Sequence, residues 1–102
     1  MYERSFCYDG IMKYSLQRLG ENDLVLMRDL NRLFGDVFED RKTYSDKIPS
    51  DEYIISFLAN KNHIVFVATI DNKVIGGLVA YTLTKFEMDR KEVYLYDLAI
   101  LQ

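Results

Sequence analysis

The alternation of apolar and polar positions near the start of the chain predicts one strand and then one helix. Residues 11–18 alternate as a β-strand does, and Gly20 ends that run. From Leu24 the apolar positions recur at spacings of three and four, which predicts an amphipathic helix capped by Asn22 and frayed near Gly35. The predicted apolar stripe of this helix comprises Met27, Leu30, Phe34 and Val37, widened by Leu26 and Leu33.

A second helix and three strands are predicted after it. Residues 39–49 form a polar loop, Ser50 caps a short helix, and Asn60 ends it. Runs rich in β-branched and aromatic residues then predict strands at residues 64–70, 74–83 and 92–100.

The connections between these strands indicate the fold class. Residues 71–73 have turn chemistry, so the two strands beside them form a hairpin, and Gly76 and Gly77 indicate a bulge or a close backbone approach. The order strand, helix, helix, strand, strand, strand predicts an α+β fold. It consists of an antiparallel sheet with two helices packed on it.

The distribution of charge is uneven, with an excess of acidic residues in one segment. The chain has 102 residues, enough for one domain, and a net charge of −3. Residues 36–52 hold six acids against three bases, and the remainder balances. This argues against a nucleic-acid partner and suits a cationic one, although a solvated helix end and loop would have the same composition.

Several classes of protein are not indicated. No apolar run is long enough to cross a membrane, and the N-terminus lacks the apolar stretch of a signal peptide. The single cysteine, Cys7, fits a reducing cytoplasm, where we expect the protein to reside. His63 has no ligand-spaced partner, so no metal site is expected.

Asp97 is the main candidate for chemistry. In strict alternation it shares a face with Val93, Leu95 and Ala99, while Tyr94, Tyr96 and others lie on the opposite face. A carboxylate among apolar neighbours must be hydrogen-bonded, paired, protonated or placed at a cleft, where it can accept a proton from an amine. The alternative is that a bulge turns Asp97 to solvent, or that it caps a backbone group.

Several segments together suggest a family. The stretch from Phe34-Gly35-Asp36 through Thr43-Tyr44-Ser45 to Asp51-Glu52-Tyr53, the segment Gly76–Tyr81 followed by Lys85-Phe86-Glu87, and the run Tyr96-Asp97-Leu98-Ala99-Ile100 occur in this order. In this combination the chain resembles the aminoglycoside 3-N-acetyltransferases, which belong to the GNAT superfamily of acetyl-CoA-dependent N-acetyltransferases.

The resemblance implies roles for particular residues. It implies that Asp97 recognises the acceptor amine or takes its proton, and that Leu98, Ala99 and Ile100 face the thioester of acetyl-CoA. It implies further contacts to the acceptor from Tyr81, Phe86 and Glu87, and entry of a cationic antibiotic beside the acidic residues 36–46, including Asp36. The implied biological role is antibiotic resistance.

The resemblance covers residues 12–102 as the N-terminal half of a GNAT fold, with residues 1–11 expected to be an extension or leader. The glycine-rich loop that binds the pyrophosphate of coenzyme A in this family is not matched, so we expect little or no activity from this piece alone. Two alternatives remain. One is a non-catalytic module that forms a homodimer through its open strand edge. The other is a GNAT enzyme that acts on a polyamine or peptide amine.

Overall fold

The computed structural model describes residues 2–8 and 12–101, which form a five-stranded antiparallel sheet with two α-helices. In chain order the elements are β1 (Tyr2–Tyr8), β2 (Met12–Arg18), α1 (Leu24–Val37), a π-helical turn (Lys42–Asp46), α2 (Asp51–Ala59), β3 (His63–Ile70), β4 (Lys73–Thr84) and β5 (Lys91–Ile100). The strands lie side by side in sequence order. The predicted α+β fold is confirmed.

Strand β1 was not among the predicted elements. Residues 2–8 pair along their whole length with β2, from Tyr2 opposite Arg18 to Tyr8 opposite Met12. Pairing with a neighbouring strand stabilises a strand whose own pattern is weak, because β-propensity depends on the packing against that neighbour. Residues 1, 9–11 and 102 lie outside the described part of the chain, and so does the first residue of the predicted strand 11–18.

Helix α1 carries the predicted apolar stripe with small differences at its ends. The residue before the helix is Asp23 and not Asn22, and its Oδ2 accepts a hydrogen bond from the Gly20 N–H at 2.7 Å. The helix runs through Gly35 without fraying, and the Asp40 N–H donates to the Gly35 carbonyl at 2.9 Å. Val37, the last residue of the helix, is exposed, although it was predicted to belong to the apolar stripe.

Helix α2 begins and ends as predicted. The Ser50 Oγ accepts a hydrogen bond from the Tyr53 N–H at 3.1 Å, which satisfies one of the unpaired donors of the first turn. Asn60 is the residue at the C-terminal cap. The helix buries Ile54 and Leu58.

The core lies between the helices and one face of the sheet. Leu30 and Phe34 of α1 and Val65 and Val67 of β3 are its most buried side chains. A Cβ atom at Gly77 of β4 would lie 2.5 Å from Leu30 Cδ1, so this glycine lets the helix approach the strand. The predicted close backbone approach is confirmed at this position.

The other face of the sheet carries a second set of apolar side chains. Leu16, Phe66, Leu78, Leu98 and Ile100 line a groove of about 560 Å³ there. This arrangement follows from the alternation of side chains along each strand.

Candidate active site

A cavity of about 420 Å³ opens between the helices, the π-helical turn and strands β4 and β5. Six aromatic side chains contribute to its wall: Phe34, Tyr44, Tyr53, Phe57, Tyr81 and Tyr96. Among the described residues that line it, Asp97 alone carries a charge. The cavity therefore combines an aromatic wall with one carboxylate.

Asp97 faces this cavity across a bulge in β5. Val79 of β4 pairs with Asp97, but Ala80 pairs with Leu95, so Tyr96 is an extra residue. Tyr96 and Asp97 both line the cavity, and the prediction that they lie on opposite faces is therefore wrong. Strict alternation cannot anticipate a bulge. Asp97 is half-buried, so the alternative in which a bulge turns it into open solvent is not observed.

The carboxylate of Asp97 is held by a tyrosine from the π-helical turn. The Tyr44 hydroxyl donates to Asp97 Oδ2 at 2.8 Å. Burial, followed by this hydrogen bond, raises the pKa of Tyr44 to about 12. The tyrosine is therefore protonated, and a hydrogen-bond donor, at every physiological pH.

No cation of the described chain neutralises Asp97. The ion pairs among the described residues involve other carboxylates, and from these residues the Asp97 carboxylate accepts one hydrogen bond, through Oδ2. A half-buried carboxylate without a counter-ion is costly, so this position favours a positively charged ligand.

Tyr81 and Tyr96 form another part of the cavity wall. Their rings meet edge to face with centroids 5.7 Å apart, and Tyr81 also meets Phe57 edge to face at 6.1 Å. Burial is the main cause of a raised pKa at Tyr81. Tyr81 was predicted to contact the acceptor, and the structure places it in the same cavity as Asp97.

The structure does not bring the other predicted acceptor residues to this cavity. Phe86 is 97% exposed in the connection between β4 and β5, and the Glu87 carboxylate lies 3.7 Å from Lys85 Nζ. Asp36 pairs with Arg41 at 3.0 Å and lines a separate cavity of about 380 Å³. These residues lie close in sequence to elements that line the cavity, but that closeness did not show that their side chains lie elsewhere.

The three predicted cofactor residues divide into two groups. The Leu101 N–H donates to the Ile75 carbonyl of β4, and backbone groups of an antiparallel strand alternate between its two edges. Leu98 and Ile100 therefore direct their N–H groups to the open edge of the described sheet, whereas Ala99 faces Gly77 of β4. The Ala99 side chain is buried in the core, so the structure does not place Ala99 where a cofactor could contact it.

Tyr44 is the main site residue that sequence reasoning missed. Residues 39–49 were predicted to be a polar loop, yet residues 42–46 form the π-helical turn that places Tyr44 in the cavity with Thr43. The presence of an aromatic residue within this polar segment could have indicated that Tyr44 packs against the rest of the fold. Tyr53 and Phe57, on α2, also line the cavity without having been predicted to do so.

Two further features are absent from the described residues. They contain no group of three or more histidine, cysteine or acidic side chains placed to hold a metal ion. None of the described helices has both the length and the apolar character needed to cross a membrane.

Comparison with solved structures reveals strong similarity to one group of enzymes. An aminoglycoside acetyltransferase, HMB0005, from an uncultured soil metagenomic sample has a TM-score of 0.86 and 36% identity, over 89% of this chain and 60% of that one. Another from such a sample, meta-AAC0020 in complex with sisomicin, has a TM-score of 0.77 and 39% identity, over 86% and 56%.

The chain resembles the aminoglycoside acetyltransferases. The predicted resemblance and the predicted GNAT-type fold are confirmed. The ribosomal-protein-alanine N-acetyltransferase of Brucella melitensis biovar Abortus 2308 shares the fold alone, with a TM-score of 0.60 and 14% identity, over 86% of this chain and 56% of that one. The chain spans less than two thirds of the length of these aminoglycoside acetyltransferases. No protein-family model and no curated protein matches it.

Proposed function

We propose that these residues form the acceptor site of an acetyl-CoA-dependent N-acetyltransferase that acts on an amine of an aminoglycoside. The observation that carries this proposal is the half-buried Asp97 carboxylate, which has no counter-ion among the described residues and lies in an aromatic cavity. The solved relatives support the choice of substrate, since one of them binds sisomicin.

The chemistry of the cavity suits a protonated amine. An ammonium group beside Asp97 would compensate the carboxylate, and a charge-assisted hydrogen bond of this kind is worth about 1.5–3 kcal/mol. A cation over an aromatic face gains about 0.5–1 kcal/mol more at an exposed ring and about 2 kcal/mol where water is excluded. The same carboxylate can then take the proton that the amine must lose before it reacts.

The open edge of β5 suits acetyl-CoA, which supplies the acetyl group as a thioester when bound. The Leu98 and Ile100 N–H groups point to this edge, and Leu98 is the residue next to Asp97. A backbone N–H beside the acetyl carbonyl can polarise it, as donors do in an oxyanion hole. Amine and thioester would thus meet where the cavity reaches the sheet edge.

Narrower aspects of the function rest on the sequence resemblance. We extend the proposal to the 3-amino group as the acetylated position, to a role in antibiotic resistance and to a cytoplasmic location. The resemblance to the aminoglycoside 3-N-acetyltransferases as a whole supports the first two, and the single cysteine supports the last.

Exchange of Asp97 for asparagine tests the proposal. Calorimetric titration of the chain with sisomicin should give at least about a tenfold lower affinity for Asp97→Asn, because a neutral amide loses the charge-assisted hydrogen bond. Asp71→Asn is the matched control, since Asp71 lies in the β3–β4 turn with a φ of 50° that asparagine tolerates. Unchanged affinity in Asp97→Asn would refute the proposal. Stronger binding of spermidine than of sisomicin would favour the polyamine alternative.

A second candidate function is assembly through β5. Seven apolar or aromatic side chains at or just beyond this edge strand are exposed: Val93, Tyr94, Leu95, Tyr96, Leu98, Ile100 and Leu101. An exposed apolar edge strand pairs readily with another strand. This observation favours a homodimer in which two β5 strands meet.

A further inference from the structure

Tyr44 and Asp97 are joined across the cavity although they are 53 residues apart. We propose that Tyr44 is the positioning residue of the acceptor site: it fixes one oxygen of Asp97 so that the other oxygen points at the acceptor amine. This inference rests on the proposed function and assigns to the π-helical turn a part in it.

The ring of Tyr44 is fixed by its neighbours. Phe34 and Phe38 stack with centroids 5.6 Å apart, and the Tyr44 ring is tilted against both of them at 5.8 Å. Aromatic pairs of this kind favour particular ring orientations, by about 0.5–1.5 kcal/mol each. The packing of the ring and the hydrogen bond to Asp97 thus favour the same placement of the hydroxyl.

The backbone of the turn is also fixed. Asp40 Oδ1 accepts a hydrogen bond from the Thr43 N–H at 3.2 Å, and Arg41 pairs with Asp36 of α1 at 3.0 Å. Glu39, before them, has a φ of 54°, which turns the chain sharply at the end of α1. Single π-helical turns occur frequently at functional sites.

The hydrogen bond leaves a defined acceptor for the substrate. Tyr44 occupies Oδ2, and Oδ1 accepts no hydrogen bond from the described residues. An ammonium group in the cavity can donate to Oδ1 without displacing Tyr44. Because the tyrosine keeps its proton, it holds Asp97 without competing for the proton of the amine.

A double-mutant cycle tests whether Tyr44 acts through Asp97. Tyr44→Phe keeps the ring and removes the hydroxyl, and we expect it to lower the affinity for sisomicin about three- to tenfold. In the Asp97→Asn background the same change should lower the affinity less than twofold, since no carboxylate remains to be positioned. Tyr94→Phe, on an exposed tyrosine outside the cavity lining, is the matched control and should leave the affinity unchanged.

The outcomes separate this inference from the proposed function. If the wild-type chain does not bind sisomicin, both fail. If it binds sisomicin and Tyr44→Phe binds equally well, Tyr44 has no positioning role although the acceptor site stands. Equal losses in both backgrounds would show that Tyr44 acts independently of Asp97 and would also overturn the inference. Thermal melting of each variant shows that it is folded.

Discussion

At the scale of single residues, the site depends on a carboxylate that the fold leaves uncompensated. Asp97 receives one hydroxyl donor and no described cation, while the other carboxylates near the turn are engaged by Arg41 and by the Thr43 N–H. The acidic residues around the π-helical turn therefore differ in whether their carboxylates are free to bind a cationic ligand. The local excess of acids in the sequence overstates the number that can bind a cationic ligand.

The raised pKa of Tyr44 predicts a stability change at alkaline pH. Its folded-state pKa of about 12 exceeds its ordinary value of 10.0, so the folded chain holds this proton more tightly than the unfolded chain. The contribution to stability is complete below pH 10 and is lost as the pH rises from about 10 to about 12.

Denaturation at a series of alkaline pH values should reveal this contribution. We expect the free energy of unfolding to fall more steeply between pH ~10 and ~12 in the wild type than in Tyr44→Phe, which cannot ionise at this position. Tyr94→Phe should behave as the wild type, because Tyr94 is exposed. Parallel curves for the wild type and Tyr44→Phe would contradict this prediction.

At the scale of elements, α2 carries part of the cavity wall and depends on its first turn. Tyr53, Ile54 and Phe57 of this helix line the cavity, and Ser50 caps it. A helix of nine residues is too short to be stable alone in water, so its cap and its packing decide its position.

Loss of the Ser50 cap should therefore destabilise the fold measurably. We expect Ser50→Ala to lower the free energy of unfolding by about 1 kcal/mol in urea denaturation, because the Tyr53 N–H loses its acceptor. Ser56→Ala is the matched control, since Ser56 is exposed within the same helix, where alanine is favourable. An equal effect of both substitutions would argue against the cap.

The elements were predictable where local chemistry determines them. Ser50, Asn60 and the period of α1 predicted the helices, and residues 71–73 predicted the hairpin turn. The elements that were not predicted depend on pairing between strands, which the pattern of one strand does not show. Strand β1 pairs with β2, and the bulge at Tyr96 appears only when β5 is matched to β4. Asp97 was recognised as a polar residue among apolar ones, but its partner Tyr44 lies 53 residues away.

At the scale of the whole molecule, one strand edge has two proposed uses. The Leu98 and Ile100 N–H groups at the outer edge of β5 could bind the acetyl carbonyl or could pair with a second chain. Both uses need the same donors, so a dimer formed through β5 would exclude acetyl-CoA from this edge. Binding of acetyl-CoA and dimerisation would therefore compete for the same edge of β5.

Sedimentation at micromolar concentration distinguishes these states. We expect the chain to form a dimer that Val93→Lys shifts to monomer, because a charge on an edge strand opposes pairing. Val25→Lys is the matched control: Val25 is 70% exposed on α1 and Val93 is 66% exposed on β5. If acetyl-CoA binds the same edge, it should shift the wild-type dimer towards monomer as well. If the wild-type chain sediments strictly as a monomer, the proposed homodimer is wrong, and binding of acetyl-CoA is then the one proposed use of the β5 edge.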